Sequence, residues 1–238
     1  MPSLELRITL NSVEDPLYEQ SHPLLTDEEL ADLEQIGHTI RRPAGNAFML
    51  EGEYGDFALL IRKGHVKVVV GRPPRIVAIR GPGDMVGEMA AIRRKPRSAS
   101  VFAFNDVEAL YLPATGWLRF LYDHPRAMHA QWAAEAERTD QATRKIVESE
   151  LAVGQQLAKA LIELADSGIG EHASEGAVEL RLSQQDLAAM IGAKKLDSVK
   201  KVIRLLKAAG TIATGRQQIT VLDLAILRDI ANGDLAVF

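Results

Sequence analysis

The stretch "GEMAAIRRKPRSASV", Gly87 to Val101, carries the residue types that could grip a charged sugar. Gly87-Glu88 reads as the start of a short helix, with Met89 and Ala90 in its first turn. A helix start exposes backbone N–H groups and the positive end of its dipole, which suits an anion. Arg97 can add a charge-assisted, bidentate grip on a phosphate, and Ser98 a hydroxyl. Glu88 repels a phosphate but accepts well from a sugar hydroxyl. Together they suit a ligand with one phosphate fused to a ribose. The plainer alternative is an ion pair between Glu88 and Arg97 that ties the segment together without any ligand. The basic run Arg93-Arg94-Lys95 is either a solvated loop or added charge for a second phosphate.

A second group is cationic. "GAKKLDSVKKVIRLLKAAG" holds Lys194, Lys195, Lys200, Lys201, Arg204 and Lys207, with only Asp197 opposing them, and Arg216 follows. The whole chain has a net charge of −4, so any nucleic-acid surface must be a local patch. Lysines on a helix are often no more than a solvated face. Here they fall on the second helix of a helix, turn, helix, hairpin pattern, whose first turns can reach base edges in a major groove while neighbouring cations take phosphates.

These groups need elements to hold them. "LLTDEELADLEQIG" reads as a helix with a Thr26/Glu29 capping box and a stop at Gly37. From about Arg41 to Leu112, short apolar runs such as "FALLIRKG", "HVKVVV" and "RIVAI" alternate with Gly, Pro, Asp and Asn. That pattern predicts an antiparallel barrel or jelly roll. A short helix is expected around Gly116–Tyr122, a longer one from Pro125 to about Glu150, and a further one over Val153–Ala165. "DSGIGEHASEGA" reads as a loop and "VELRL" as a short strand. Ser183 caps the next helix with Asp186 in a variant capping box, and that helix ends at Gly192. The basic helix runs from about Leu196 to Ala209, with Val199, Ile203, Leu205 and Leu206 facing inward onto Leu187 and Ile191. "TIATGRQQITV" alternates on both sides of Gly215-Arg216 as a hairpin.

Composition narrows the class. The 238 residues are 47% hydrophobic and 25% charged, those of an ordinary globular protein of one or two domains. There is no cysteine, which removes disulfides, cysteine zinc sites, cysteine-held iron–sulfur clusters and thiol nucleophiles, and fits a reducing cytoplasm. "MPSLELRITLNSVEDP" lacks the basic start and apolar core of a secretion signal, and no run is long enough to span a bilayer. The six histidines show no metal-binding spacing, and a haem would have to rest on His65 or His129 without support. No G-x-S-x-G or paired carboxylates stand out, so an enzyme is not expected.

The segment from Glu51 to Val101, with "GPGDMVGEMA" and "KPRSASV", resembles the phosphate-binding cassette of cyclic-nucleotide-binding domains. With the winged helix-turn-helix behind it, nearly the whole chain resembles the Crp/Fnr family of bacterial transcription regulators. The resemblance implies an α+β chain. An antiparallel barrel or jelly-roll sensor would cover residues 1–124, a dimerisation helix and hinge 125–152, and a winged helix-turn-helix domain 153–238. It implies a DNA-binding homodimer with no membrane segment, double-stranded DNA as partner and RNA polymerase as a candidate one. Its ligand would be a cyclic nucleotide: cyclic AMP first, with cyclic GMP or a cyclic dinucleotide as alternatives. By resemblance, Glu88 takes the ribose 2′-hydroxyl with Gly87 beside it, and Arg97 and Ser98 take the phosphate. Gln141 and Ala142 of the long helix face the base, and Asp197, Ser198 and Lys201 read bases and phosphates.

The basic run Arg93-Arg94-Lys95 sits where the family commonly has small or polar residues, and two further departures stand out. Gln141 and Ala142 replace the hydroxyls usual in cyclic-AMP sensors, with Thr143 just beyond. "GAKKLDSV" looks one residue longer than usual, which puts Leu196 where an arginine often reads guanine. The long helix has a thin apolar seam of Trp132, Thr139 and Ile146, helped by Met128, Ala136 and Ala142. Two other readings stay open: a DNA-binding regulator with a vestigial or different pocket, and a cyclic-nucleotide module acting on a protein partner.

Overall fold

A computed structural model describes residues 25–235 apart from Glu175 and Lys194. The N-terminal stretch read above for a secretion signal and the candidate DNA contact Lys194 lie outside the described residues.

The first helix, α1 (Asp27–Ile36), starts with the expected capping box: Glu29 N–H donates to Thr26 Oγ1 at 3.2 Å and Thr26 N–H to Glu29 Oε2 at 2.9 Å. Eight strands follow with one short helix among them: β1 (His38–Arg42), β2 (Ala47–Met49), β3 (Phe57–Lys63), β4 (Val66–Val70), β5 (Arg75–Arg80), β6 (Met85–Val86), α2 (Glu88–Arg93), β7 (Ser100–Ala103) and β8 (Val107–Pro113). They form two antiparallel sheets, ordered β1-β8-β3-β6 and β2-β7-β4-β5. The barrel expected from the strand pattern is therefore two facing sheets, a jelly roll that does not close.

Strand β3 explains why "FALLI" reads as one apolar run. Leu59 and Ile61 enter the core between the sheets with Val66, Val101 and Ala109. Ala58 and Leu60 face the opposite side, onto Leu33, Trp117 and Phe120 of the covering helices. A strand covered on both faces loses the polar alternation of a half-exposed one.

Helix α3 (Ala114–Asp123) then leads into α4 (Pro125–Glu148), with Pro125 at its first turn as predicted. Trp132 and Ile146 on α4 are each 70% exposed, and Met128, Ala136 and Thr139 are exposed beside them, so the thin seam is an uncovered face of this chain.

The C-terminal unit comprises α5 (Val153–Asp166), β9 (Glu171–Ser174), β10 (Ala177–Leu180), α6 (Gln184–Met190), α7 (Leu196–Ala208), β11 (Ile212–Gly215), β12 (Gln218–Val221) and α8 (Leu224–Asn232), with a sheet ordered β11-β12-β10-β9. Its core joins Leu157, Leu161, Leu180, Leu187, Val199, Ile203, Ile219 and Leu227.

Several expectations change here. The stretch read as a loop contains β9, which pairs with β10; backbone pairing alone builds this polar strand, so hydropathy did not reveal it. On α7 the fourth buried apolar residue is Val202, while Leu205 is only half-buried. The wing turns at Arg216-Gln217, since Gly215 already pairs with Gln218. Helix α8 escaped the sequence reading, although Asp223 caps it and Gly233 closes it in the left-handed conformation.

The two units touch. Lys67 of β4 reaches Asp186 Oδ1 at 2.8 Å, while Asp186 Oδ2 stays with Ser183 in the capping box of α6. Gly192, at φ +62°, lies against the guanidinium of Arg75.

Candidate functional site

Gly87 sits at φ +80°, a conformation that glycine adopts without steric cost. A Cβ there would meet Arg97 Nη1 at 2.7 Å and Met49 Cε at 2.9 Å. The turn therefore needs glycine twice over, for its backbone and for its neighbour. It launches α2 and aims Glu88 inward.

Glu88 and Arg97 are each only 3% exposed. They do not pair with each other, which corrects the alternative of a Glu88–Arg97 bridge. Arg97 donates from Nη1 to the Gly87 carbonyl at 2.7 Å and from Nη2 to the Phe57 carbonyl at 2.9 Å, with its guanidinium 4.3 Å from the centre of the Phe57 ring. Two N–H groups are thereby used, and others remain for an anion. Glu88 instead accepts from Arg138 of α4 at 2.6 Å. Arg138 also bonds Glu135 at 2.6 Å and the Met85 carbonyl at 2.7 Å. Burial pushes the Glu88 carboxyl up to about 7 against the pull of Arg138, and Glu135 adds to the rise.

A cavity of about 250 Å³ opens between this segment, β5 and α4. All eight residues read from the sequence as ligand contacts line it: Gly87, Glu88, Met89, Ala90, Arg97, Ser98, Gln141 and Ala142. Arg80, Arg138 and Lys145 line it too, and sequence reading missed them. Among the described residues, the Arg80 side chain donates to its neighbour's carbonyl, Ile79 O, at 3.3 Å. Burial lowers its pKa from the ordinary guanidinium value, as does nearby Arg138. The exposed run Arg93-Arg94-Lys95 does not line this cavity; Arg94 and Lys95 border a separate hollow with Tyr54 and Leu118.

The cationic surface follows the sequence closely. Lys195, Asp197, Ser198, Lys200, Lys201 and Arg204 are exposed on or just before α7, and Arg216 is exposed at the wing tip. Lys200 lies 3.8 Å from Asp197. Among the described residues, Lys195, Lys201, Arg204 and Arg216 have no carboxylate partner.

Two family models match the chain: the cyclic nucleotide-binding domain over residues 39–124 and the Crp-like helix-turn-helix domain over residues 155–230. The chain belongs to the Crp/Fnr family. Among curated Crp/Fnr relatives, the cyclic AMP receptor protein of Thermus thermophilus is 28% identical over 80% of this chain and 87% of its own. A solved CRP/FNR-family transcriptional regulator from the same organism is 27% identical with a TM-score of 0.67, covering 82% of this chain and 98% of that one. The c-di-GMP responsive global regulator CLP of Xanthomonas campestris shares the fold, with a TM-score of 0.74 at 19% identity, over 83% of this chain and 100% of that one. This Crp/Fnr chain is thus a transcription regulator with a cyclic nucleotide-binding domain and a DNA-binding helix-turn-helix. Among its described residues no helix is long and apolar enough to cross a membrane.

Proposed function

We propose that this regulator binds a cyclic nucleotide in the cavity and couples its occupancy to DNA binding. The sensor occupies residues up to 124, α4 and the hinge after it residues 125–152, and the winged unit residues from 153 onward. One observation carries the reading: two buried, oppositely charged side chains, Glu88 and Arg97, line one cavity without pairing with each other. Arg138 engages Glu88 Oε1 and two carbonyls accept from Arg97, and both side chains keep further hydrogen-bonding capacity toward the cavity. A ribose hydroxyl donating to Glu88 and a cyclic phosphate accepting from Arg97, Ser98 and the N–H groups of Gly87 to Ala90 would serve both. Gln141 and Ala142 bring α4 to the base. A ligand that contacts α2 and α4 together favours one arrangement of that helix over another, and only such differential binding can drive a switch. Two chains meet along Trp132, Thr139 and Ile146, as paired half-sites require. No catalytic step belongs to this reading, and RNA polymerase is the natural partner of the DNA-bound dimer.

Titration calorimetry of the full chain with cyclic AMP, cyclic GMP and cyclic di-GMP tests the sensor half. Saturable binding of at least one is expected, and no binding by any would leave a DNA-binding regulator with a different pocket. For the DNA half, Lys201→Ala is expected to weaken binding and to lower the salt slope by about one counterion if Lys201 meets a phosphate. If it reads a base, discrimination falls by about 1–3 kcal/mol instead. Binding isotherms across a salt series decide, and an unchanged slope with unchanged discrimination removes Lys201 from the interface.

A further inference from the structure

The far end of the cavity carries an ion pair of its own. Lys145 lies seven residues beyond Arg138 on α4, about 10 Å along the helix. Arg138 marks the Glu88 end, so Lys145 stands roughly one nucleoside away. Its ammonium donates to the Val77 carbonyl at 3.3 Å and to Glu163 Oε1 at 3.2 Å. Both Lys145 and Glu163 line the cavity, although Glu163 belongs to α5 and so to the C-terminal unit. The Lys145 and Glu163 side chains are 37% and 52% exposed, so solvent or a ligand can reach both.

We propose that Lys145 and Glu163 read the base of the ligand, and that this base is guanine. The proposal rests on the cyclic-nucleotide reading of the cavity. Guanine presents one acceptor, O6, beside two donors, the N1–H and the 2-amino group. An ammonium next to a carboxylate matches that order: Lys145 donates to O6, and the two oxygens of Glu163 accept from N1–H and the 2-amino group. Charge-assisted, two-pronged contacts of this kind are the strong and discriminating ones. Adenine has no 2-amino group and its N1 is an acceptor, so it cannot engage both oxygens of Glu163. The rest of the base end offers little against this. Ala142 has no polar side chain, and the Gln141 amide donates to Glu137 at 3.3 Å. The base would then touch the DNA-binding unit directly, through Glu163.

Calorimetry on the full chain with cyclic GMP, cyclic AMP and cyclic IMP tests the pair. Cyclic GMP is expected to bind about 10- to 100-fold more tightly than cyclic AMP. Cyclic IMP, which keeps O6 and N1–H but lacks the amino group, falls between them. Glu163→Gln is expected to remove most of the preference for cyclic GMP, read as the ratio of the cyclic GMP and cyclic AMP affinities. Lys145→Met gives the same readout from the other partner should Glu163→Gln lower the melting temperature. Cyclic AMP binding as tightly as cyclic GMP overturns the base assignment and leaves the cavity reading intact, as does a preference that survives both substitutions. No binding of any cyclic nucleotide overturns the cavity reading itself, and the base assignment with it.

Discussion

Arg97→Ala is expected to remove cyclic-nucleotide binding and to weaken the fold. Arg97 is the buried cation of the cavity and holds itself in place through the Gly87 and Phe57 carbonyls. Burial lowers its pKa from the ordinary guanidinium value, while Glu88 pulls the other way; a guanidinium still keeps its proton inside a protein. Deleting one partner of a buried, hydrogen-bonded charge pair costs about 2–5 kcal/mol, which is roughly 30- to several-thousand-fold in Kd. Two carbonyls also lose their donors, and each unsatisfied group costs about 1–3 kcal/mol. Arg97→Lys separates the effects, because it keeps the charge and loses the fork. Calorimetry and thermal melts on the two variants are the measurement, and unchanged nucleotide affinity in Arg97→Ala would reject the phosphate role.

Glu88 makes stability fall as pH rises through a range where most carboxylates have no effect. Its carboxyl is held at about 7 in the fold, against 4.5 in an unfolded chain. Between those values the folded chain keeps a proton that the unfolded chain has lost. The stabilising contribution is full below about pH 4.5 and is gone once the pH passes about 7, a loss of about 3 kcal/mol. Glu29 and Asp186 act in the opposite direction and at lower pH. Burial opposes their ionisation, but Arg126 and Thr26 hold Glu29 down, and Lys67 and Ser183 hold Asp186 down. Their contributions disappear as pH falls through their lowered values, below the Glu88 window. Urea unfolding from pH 4.5 to 8 is therefore expected to show wild type losing stability relative to Glu88→Gln. Parallel curves for the two proteins would show that Glu88 ionises as an ordinary glutamate.

Local chemistry made much of this fold readable. Both capping boxes and the proline start of α4 depend on near neighbours, and the structure has each of them. Six of the eight cavity residues were legible because a glycine turn and a short helix place them within one segment, whereas Gln141 and Ala142 came from the family resemblance. The other charged members of the cavity were not. Besides Arg80 at the end of β5, these are Arg138, Lys145 and Glu163 on amphipathic helices, where a charged residue looks like any solvated one. Only the packing of α4 and α5 beside β5 turns them inward. Strand β9 was missed because pairing, not hydropathy, makes it. Helix α8 is different: its Asp223 cap and Gly233 stop were there to be read.

Asp186 divides its two oxygens between two tasks. One keeps the first turn of α6 wound, and the other fastens that helix to Lys67 on the jelly roll. If the units part, the fastening is lost while the winding stays. The joint can open without fraying the helix it holds. Its release costs about 1–3 kcal/mol, the same size as the coupling energies through which effectors act. A small molecule in the cavity would have enough leverage to undo this latch, and too little to unfold what lies behind it.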